Sequence, residues 1–548
     1  MKKITLSIYT VIAVLFLSPL MGQENNRSLP YSAAKELPAV TGTLVMPAHD
    51  FSKDIAFAEQ FEKDGNYPLF AKHFTVNATP ATAGTWTELE GGARLWRLNL
   101  KSAGALSMAL FFDEIYIPEG ALLSVYSPAY EEYYTYDNSN NQGNRLFSTE
   151  FIKGEEQTLE YYEPANVKGQ GTLRLTELSH QYRTIAADPC EVNVVCTPEG
   201  TNWTDEKKGI VRIYVVGPSG AGYCSGSLMN NTALDCKRYI LTALHCGVGA
   251  TTSNLNSWVF RFNFEATMCT GQADTYGTTS NQFTGCIRRA DSNDNGGDTG
   301  SDFLLVEISS TTNPTWWSNV YFNGWTRSTT MTAGGVGIHH PAGSNKKIST
   351  FTATPVTTSW GIAGTHWRIF WTATSNGHGV TEGGSSGSPI FNNSGLVFGT
   401  LTGGASYCTA TGSPDAYGKM SYHWTSNGTT SATQLKGWLD PTNSGVTTLA
   451  GSYTPCLSTS VLDHEQEQLQ VYPNPSTGTF NVSGLNYYGE IRMRVVNLMG
   501  QVIIDRKSEY QKGDILPFDI SSQPSGLYYV EIQYGPKTVI GKISNLKP

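Results

Sequence analysis

All nine cysteines of this 548-residue chain fall between Cys190 and Cys456, and the long flanks on either side have none. Disulfides belong to exported proteins, so their confinement marks one stapled domain between two that do without. The N-terminus agrees with export. Lys2 and Lys3 precede an apolar stretch from Ile4 to Leu20 that closes on Met21-Gly22-Gln23. A basic start, a short apolar region and a small residue read as a secretory signal peptide over residues 1–22. No later apolar run is long enough to span a bilayer, so no integral membrane segment is expected once the signal is removed. No cysteine pair has zinc-finger spacing with histidines behind it, and neither a metal nor a cofactor is expected.

Charged residues make up only 15% of the chain, while Gly, Ser, Thr and Asn are plentiful, a mix that favours β-rich exported domains. The net charge is −9 with no long basic run, which argues against nucleic acid as a partner. Residues 23–184 contain short strand-like runs, at Arg94 to Leu100, Ala121 to Tyr126 and Gly171 to Leu175, punctuated by Gly and Pro. They gather no catalytic set, and their position suggests a β-rich pro-region folded as a sandwich, or else an independent binding domain. Residues 185–456 repeat the pattern, at Ile210 to Val216 and Gly395 to Leu401. One helix is expected late, Ser431 to Leu439, where Ala432, Leu435, Trp438 and Leu439 share a face. A β domain of this size with a terminal helix suits a double β-barrel. Residues 457–468 read as a polar linker. Residues 469–548 alternate strands with Pro/Gly/Asn turns, as in a small β-sandwich.

The chemistry concentrates at Gly384-Ser385-Ser386-Gly387-Ser388-Pro389. A nucleophilic serine needs its hydroxyl clear of bulky neighbours and backbone N–H groups converging on one point. Alone, a Ser/Gly run is more often a turn. Two other stretches change the odds: Leu241-Thr242-Ala243-Leu244-His245-Cys246 upstream, and Ser301-Asp302-Phe303 between. A His ending an apolar strand, an Asp opening another and a Ser in a Gly-rich turn follow in the chain order of the chymotrypsin-like triad.

Residues Cys190 to about Gly445 resemble the bacterial lysyl endopeptidases, trypsin-like serine proteases of the chymotrypsin fold. The resemblance rests on ordered blocks: Cys190-Glu191-Val192-Asn193-Val194-Val195-Cys196, the His245 and Asp302 segments, Ile338-His339-His340-Pro341, the serine turn, Ala416-Tyr417-Gly418 and Trp438-Leu439-Asp440-Pro441. The terminal module, with Tyr472-Pro473-Asn474-Pro475 and Pro524-Ser525-Gly526-Leu527-Tyr528-Tyr529, resembles the sorting domain of the type IX secretion route. Together they imply a secreted or surface-attached endopeptidase that acts on proteins and peptides after basic residues, Lys first, and that meets the type IX machinery.

The resemblance also implies roles. Ser386 is the expected nucleophile, His245 the general base and Asp302 its orienting partner. The N–H groups of Gly384 and Ser386 form the expected oxyanion hole; Ser385 and Ser388 are weaker nucleophile candidates. Asp415 is the expected anion for a cationic P1 side chain, which otherwise enters a buried pocket uncompensated. Thr402, Gly403 and Trp360 are expected beside the substrate. The family pairs that Trp with a His where this chain has Thr402, which puts strict Lys preference in doubt. The implied disulfides are Cys190–Cys408, Cys196–Cys269 and Cys224–Cys246, with Cys236, Cys286 and Cys456 unassigned. The loop Asp291 to Asp298 has some calcium-loop character, but Asp302 stands where an EF-hand needs Glu, so it reads as a solvated acidic loop. His339-His340 is a family pair without a metal role. In trypsin a new N-terminal amine pairs with an Asp directly before the nucleophile; Ser385 stands there, so no such ion pair can form. Activity is then expected to be controlled by the pro-region, with Arg183 the last basic residue before Cys190. Other readings are cleavage after Arg as well or after another P1 type, and, in a different class, an inactive surface adhesin on a protease fold.

Overall fold

The computed structural model describes residues 29–547 except 129, 271–280, 459–468, 486–488, 498–500, 512–513 and 535–536. The expected signal peptide and most of the expected linker lie outside them. The chain forms two compact units, Met1–Cys456 and Leu457–Pro548. Both are mostly β, and strands occupy the runs singled out above, at Arg94–Lys101, Leu122–Tyr126, Thr172–Gln181, Ile210–Gly217 and Leu396–Gly404.

The late helix is shorter than expected. A 3-10 turn at Ser431–Thr433 is followed by Gln434 in extended conformation, and only Lys436–Leu439 is α-helical. Leu435 and Leu439 are buried nonetheless, so the apolar spacing reported burial without a continuous helix. Among the described residues the longest helix is Ser52–Lys63. None is long and apolar enough to cross a membrane.

The first unit opens with a six-stranded sheet that includes Arg94–Lys101, Glu156–Glu163 and Leu122–Tyr126. It stacks on strands Ser107–Tyr116 and Thr172–Gln181, and Trp96, Leu98, Leu110, Phe112 and Leu175 fill the space between. Those two strands belong to a twelve-stranded sheet that runs straight across residue 184. The strand Leu69–Ala78 joins the halves: Ala71 pairs with Ala221 and Leu69 with Gly222 on Gly220–Leu228. Phe70 and Tyr67 accordingly share one buried cluster with Val211, Ile213 and Phe260. A nine-stranded sheet follows, including Gly335–His339, Pro389–Asn392, Leu396–Gly404 and Asp415–Lys419.

The double β-barrel expected from the sequence does not form. In the twelve-stranded sheet Gln282–Thr284 and Cys286–Asp291 are consecutive in the chain but exchange no ladder, and in the nine-stranded sheet Lys347–Phe351 and Val356–Thr358 stay equally unpaired. A barrel needs that last ladder, because closure is a matter of backbone pairing between end strands. Short connecting segments take its place at both seams. The first sheet has moreover spent an edge on the N-terminal strand Leu69–Ala78.

Four disulfides join Cys190 to Cys408, Cys196 to Cys269, Cys224 to Cys246 and Cys236 to Cys456; Cys286 is free and buried. The second unit holds a three-stranded sheet and a four-stranded sheet around Phe480, Val495, Phe518 and Val530.

Candidate active site

Strand register brings the first two candidates together. Tyr239–Thr242 and Leu304–Ile308 are antiparallel neighbours, with Thr242 opposite Leu304. His245 lies three residues past one strand and Asp302 two residues before the other, so both emerge at the same end of the pair. Asp302 Oδ2 lies 2.7 Å from His245 Nδ1, and Oδ1 accepts the His245 backbone N–H at 2.9 Å. Asp302 is fully buried and takes a left-handed φ of 58°, a conformation that costs a non-glycine residue and persists only where its surroundings over-determine it. They do: the carbonyl of Asp302 accepts Leu244 N–H, and its own N–H donates to Asp294 Oδ2 at 2.8 Å.

Asp294 corrects the reading of the acidic loop. It is 3% exposed and its Oδ1 accepts Ser292 Oγ–H and the N–H groups of Gly296 and Gly297. Burial pushes its carboxyl up, against these hydrogen bonds. The loop is folded inward around one carboxylate and carries Asp302 on its far side.

The serine turn is pinned by the strand Gly220–Leu228. Ser225 N–H donates to Ser386 O and Ser225 Oγ to Gly384 O, both at 2.9 Å. The disulfide of the adjacent Cys224 holds that strand to Cys246, next to His245. Gly384 has φ 97°, and a Cβ there would stand 2.8 Å from Ala342 N; one on Gly387, φ 77°, would collide with Thr242 Oγ1 and Ala243 N. Only glycine permits the turn to lie against the strand that leads to His245. Among the described residues, the N–H groups of Gly384 and Ser386 donate to no protein acceptor. Ser386 is 7% exposed, whereas Ser385 and Ser388 are fully buried.

Asp415 opens the strand Asp415–Lys419 at 1% exposure. Its Oδ2 accepts Trp371 Nε1–H, Thr381 Oγ1–H and Ser406 Oγ–H at 2.6–2.7 Å; Oδ1 accepts only Ser406 N–H, at 3.1 Å, and keeps acceptor capacity. Burial raises its carboxyl while these donors lower it. Thr381 and Ser406 also line a 230 Å³ cavity together with Ser386, Thr402 and Gly403, so the carboxylate lies one layer behind the cavity wall. Trp360 lines it as well, half exposed over Gly403. Glu62, Gly65 and Asn66 from the N-terminal region line this cavity too.

Several partners escaped the sequence reading because their positions are set only by folding: Ser225, Asp294, Thr381, Ser406 and His366. The last bears on the Thr402 departure. His366 Nε2 lies 2.9 Å from Thr402 Oγ1, and its ring centroid is 6.1 Å from that of Trp360. An imidazole from another strand therefore stands beside this Trp. Burial pushes it down to about 4, so it is neutral near pH 7.

Residues 185–418 match the family described as lysyl endopeptidase, C-terminal domain, and residues 470–544 match the secretion system C-terminal sorting domain. The chain is therefore a serine protease, a hydrolase of peptide bonds. More particularly, it carries a lysyl-endopeptidase-type domain and a sorting domain of the type IX secretion route, which directs export or surface attachment. Among solved structures, a thermostable serine protease AL20 from an extremophilic microorganism is 13% identical over 39% of this chain and 91% of its own (TM-score 0.28). The protease Anisep from Arthrobacter nicotinovorans is 17% identical over 39% and 90% (TM-score 0.28). A Glu endopeptidase in complex with MPD is 14% identical over 43% and 93% (TM-score 0.27). Likeness at that level decides nothing about this chain's chemistry.

Proposed function

We propose that the protein is an endopeptidase that cleaves after lysine through Ser386, His245 and Asp302. Ser386 Oγ attacks the scissile carbonyl, His245 takes its proton at Nε2 and returns it to the leaving amine, and water then releases the acyl group. Asp302 holds the Nδ1–H tautomer and stabilises the imidazolium. The N–H groups of Gly384 and Ser386 receive the oxyanion. Asp415 supplies the charge that a lysine ammonium needs in the 230 Å³ cavity. The observation that carries the reading is the double grip of Asp302 on His245; among the described residues Nε2 makes no hydrogen bond to Ser386, a contact that must close when substrate binds.

Residues 23–184 act in this reading as a pro-region. Support comes from Glu62, Gly65 and Asn66 lining the same cavity as Ser386 and from the strand Leu69–Ala78 added to the catalytic sheet. Cleavage at Arg183 would begin their release. Tolerance of Arg at P1 is the second reading, favoured by Arg183 being the basic residue nearest the start of the matched domain.

The test uses protein purified from the medium after processing. A fluorophosphonate should label wild type and not Ser386→Ala, and cleavage of an unstructured protein should map after Lys. Labelling retained in Ser386→Ala refutes the nucleophile, cuts after other residues refute the specificity, and an unlabelled, inactive wild type leaves the adhesin reading.

A further inference from the structure

A second histidine network lies directly beneath the serine turn, and the reaction as described does not use it. His339 ends the strand Gly335–His339 and is fully buried. Its Nδ1 lies 2.7 Å from the Oγ of Ser385, the residue immediately before Ser386, and its Nε2 lies 3.1 Å from Ser349 Oγ. The direction of each bond follows from its neighbours. Ser349 Oγ donates to Val380 O at 2.8 Å, so it accepts from Nε2–H. Ser385 Oγ accepts the Glu382 N–H at 3.2 Å, which leaves its own proton for Nδ1. One unidirectional chain therefore runs from Glu382 N–H through Ser385, His339 and Ser349 to Val380 O, and it requires a neutral imidazole protonated at Nε2.

We propose that His339 is a positioning residue for peptide hydrolysis, an uncharged buttress that holds the oxyanion turn in shape through Ser385. The proposal rests on the reading of Ser386 as nucleophile and of the Gly384 and Ser386 N–H groups as oxyanion donors. Ser385 stands between those two residues: the peptide plane after it carries the Ser386 N–H, and the plane before it is joined through Gly384 to the one that carries the Gly384 N–H. Fixing Ser385 therefore restrains the first donor directly and the second through one residue. Its backbone is held by the same loop: Ser385 N–H donates to Glu382 O and Ser388 N–H to Ser385 O, both at 2.9 Å. The chain also reaches the specificity wall. Val380 and Glu382, its two ends, flank Thr381, whose hydroxyl holds Asp415.

No chain terminus takes part in this network, so the turn can be formed before any cut at Arg183. Burial holds the imidazole neutral: it is pushed down to about 3, with Lys347 adding to the effect. The nearest acid, Glu191, is 3.8 Å from Nε2, beyond hydrogen-bond range, and burial raises its own carboxyl. The buttress thus works by hydrogen-bond geometry and not by ion pairing.

The experiment produces the full chain as wild type, Ser385→Ala, His339→Asn, the double variant and Ser386→Ala. Each is purified after processing and assayed on the best peptide amide found with wild type, with active sites titrated. Displacing a catalytic group slightly costs on the order of 100-fold, so each single variant should lose about 10- to 100-fold in kcat with KM within about threefold. The double variant should lose no more than the worse single, because both cut the same chain. A Ser385→Ala enzyme within about threefold of wild type overturns the proposal. So do losses that multiply in the double variant, or a loss carried by KM. If His339→Asn does not fold, Ser385→Ala and Ser349→Ala, which each delete one hydroxyl, decide the question by the same kcat criterion. Activity retained in Ser386→Ala would instead overturn the nucleophile reading on which the proposal stands.

Discussion

Asp302 grips His245 at two points, with one carboxylate oxygen on the ring at 2.7 Å and the other on the backbone N–H at 2.9 Å. The two bonds have separable functions. The backbone bond places the residue, and the ring bond selects its tautomer. After Asp302→Asn the amide oxygen can keep only one of them, and the amide nitrogen meets the other as a donor. We expect Asp302→Asn to fold and to lose roughly 10⁴-fold in kcat, as the wrong tautomer does in such triads. Steady-state kinetics alongside a melting curve checks this; kcat within about tenfold of wild type would remove Asp302 from the mechanism.

Asp415 is wired to three side chains and lies one layer behind the cavity wall. Its replacement by Asn therefore touches packing and charge together, and the informative quantity is a ratio. We expect kcat/KM for a Lys P1 substrate to fall on the order of 10²–10³-fold more than for the best uncharged P1 substrate, the usual cost of removing one partner of a buried charge pair. Equal losses on both would make Asp415 a supporting residue only.

Arg183 is held before any cut. Its guanidinium pairs with Glu62 at 2.9 Å, with only 17% of the side chain exposed, and its Nε donates to Leu69 O. A protease must wait for this segment to open locally. In a Ser386→Ala background, Glu62→Ala should speed trypsin cleavage after Arg183 about fivefold, since a partly exposed pair is worth about 1 kcal/mol. Gel time courses with N-terminal sequencing give the rate. An unchanged rate would mean the ion pair does not guard the site.

His366 makes the fold acid-sensitive. Buried, it is pushed down to about 4, an effect Lys419 adds to and Asp302 opposes. Above about pH 6.5 neither folded nor unfolded chain protonates it. As the pH falls below that, the unfolded chain binds a proton that the native state refuses, so stability declines until about pH 4. Linkage sets the decline at roughly 3 kcal/mol. Denaturant melts at pH 7 and pH 4.5 should show a smaller loss for His366→Gln than for wild type. Equal losses in the two would assign the acid sensitivity elsewhere, for instance to His180, which burial also depresses to about 4.

Much of this molecule is legible without coordinates. Short apolar, β-branched runs bounded by Gly and Pro locate strands such as Ile210–Gly217 and Leu396–Gly404, because extended-chain propensity and turn punctuation are local properties. The helix Ser52–Lys63 is not legible in the same way: it buries only Ala58 completely, so its apolar stripe is weak. The apolar spacing at Ser431 to Leu439 overstates the helix because Leu435 and Leu439 are buried although the chain is helical only over Lys436–Leu439. His245, Asp302 and Ser386 stand out as candidates because each sits in a distinctive short run.

Sequence by itself thus determined the β character, the stapled middle region and the residues to which chemistry could be assigned. Tertiary structure alone decided that both protease sheets stay open, since closure depends on pairing between strand edges that no local pattern encodes. It also decided that Leu69–Ala78 crosses into the catalytic sheet. The supporting groups belong to the same class. Ser225, Asp294, His339 and His366 are ordinary residues in their own neighbourhoods. They acquire meaning only when folding removes water and leaves each buried polar atom to be satisfied by a partner distant in sequence.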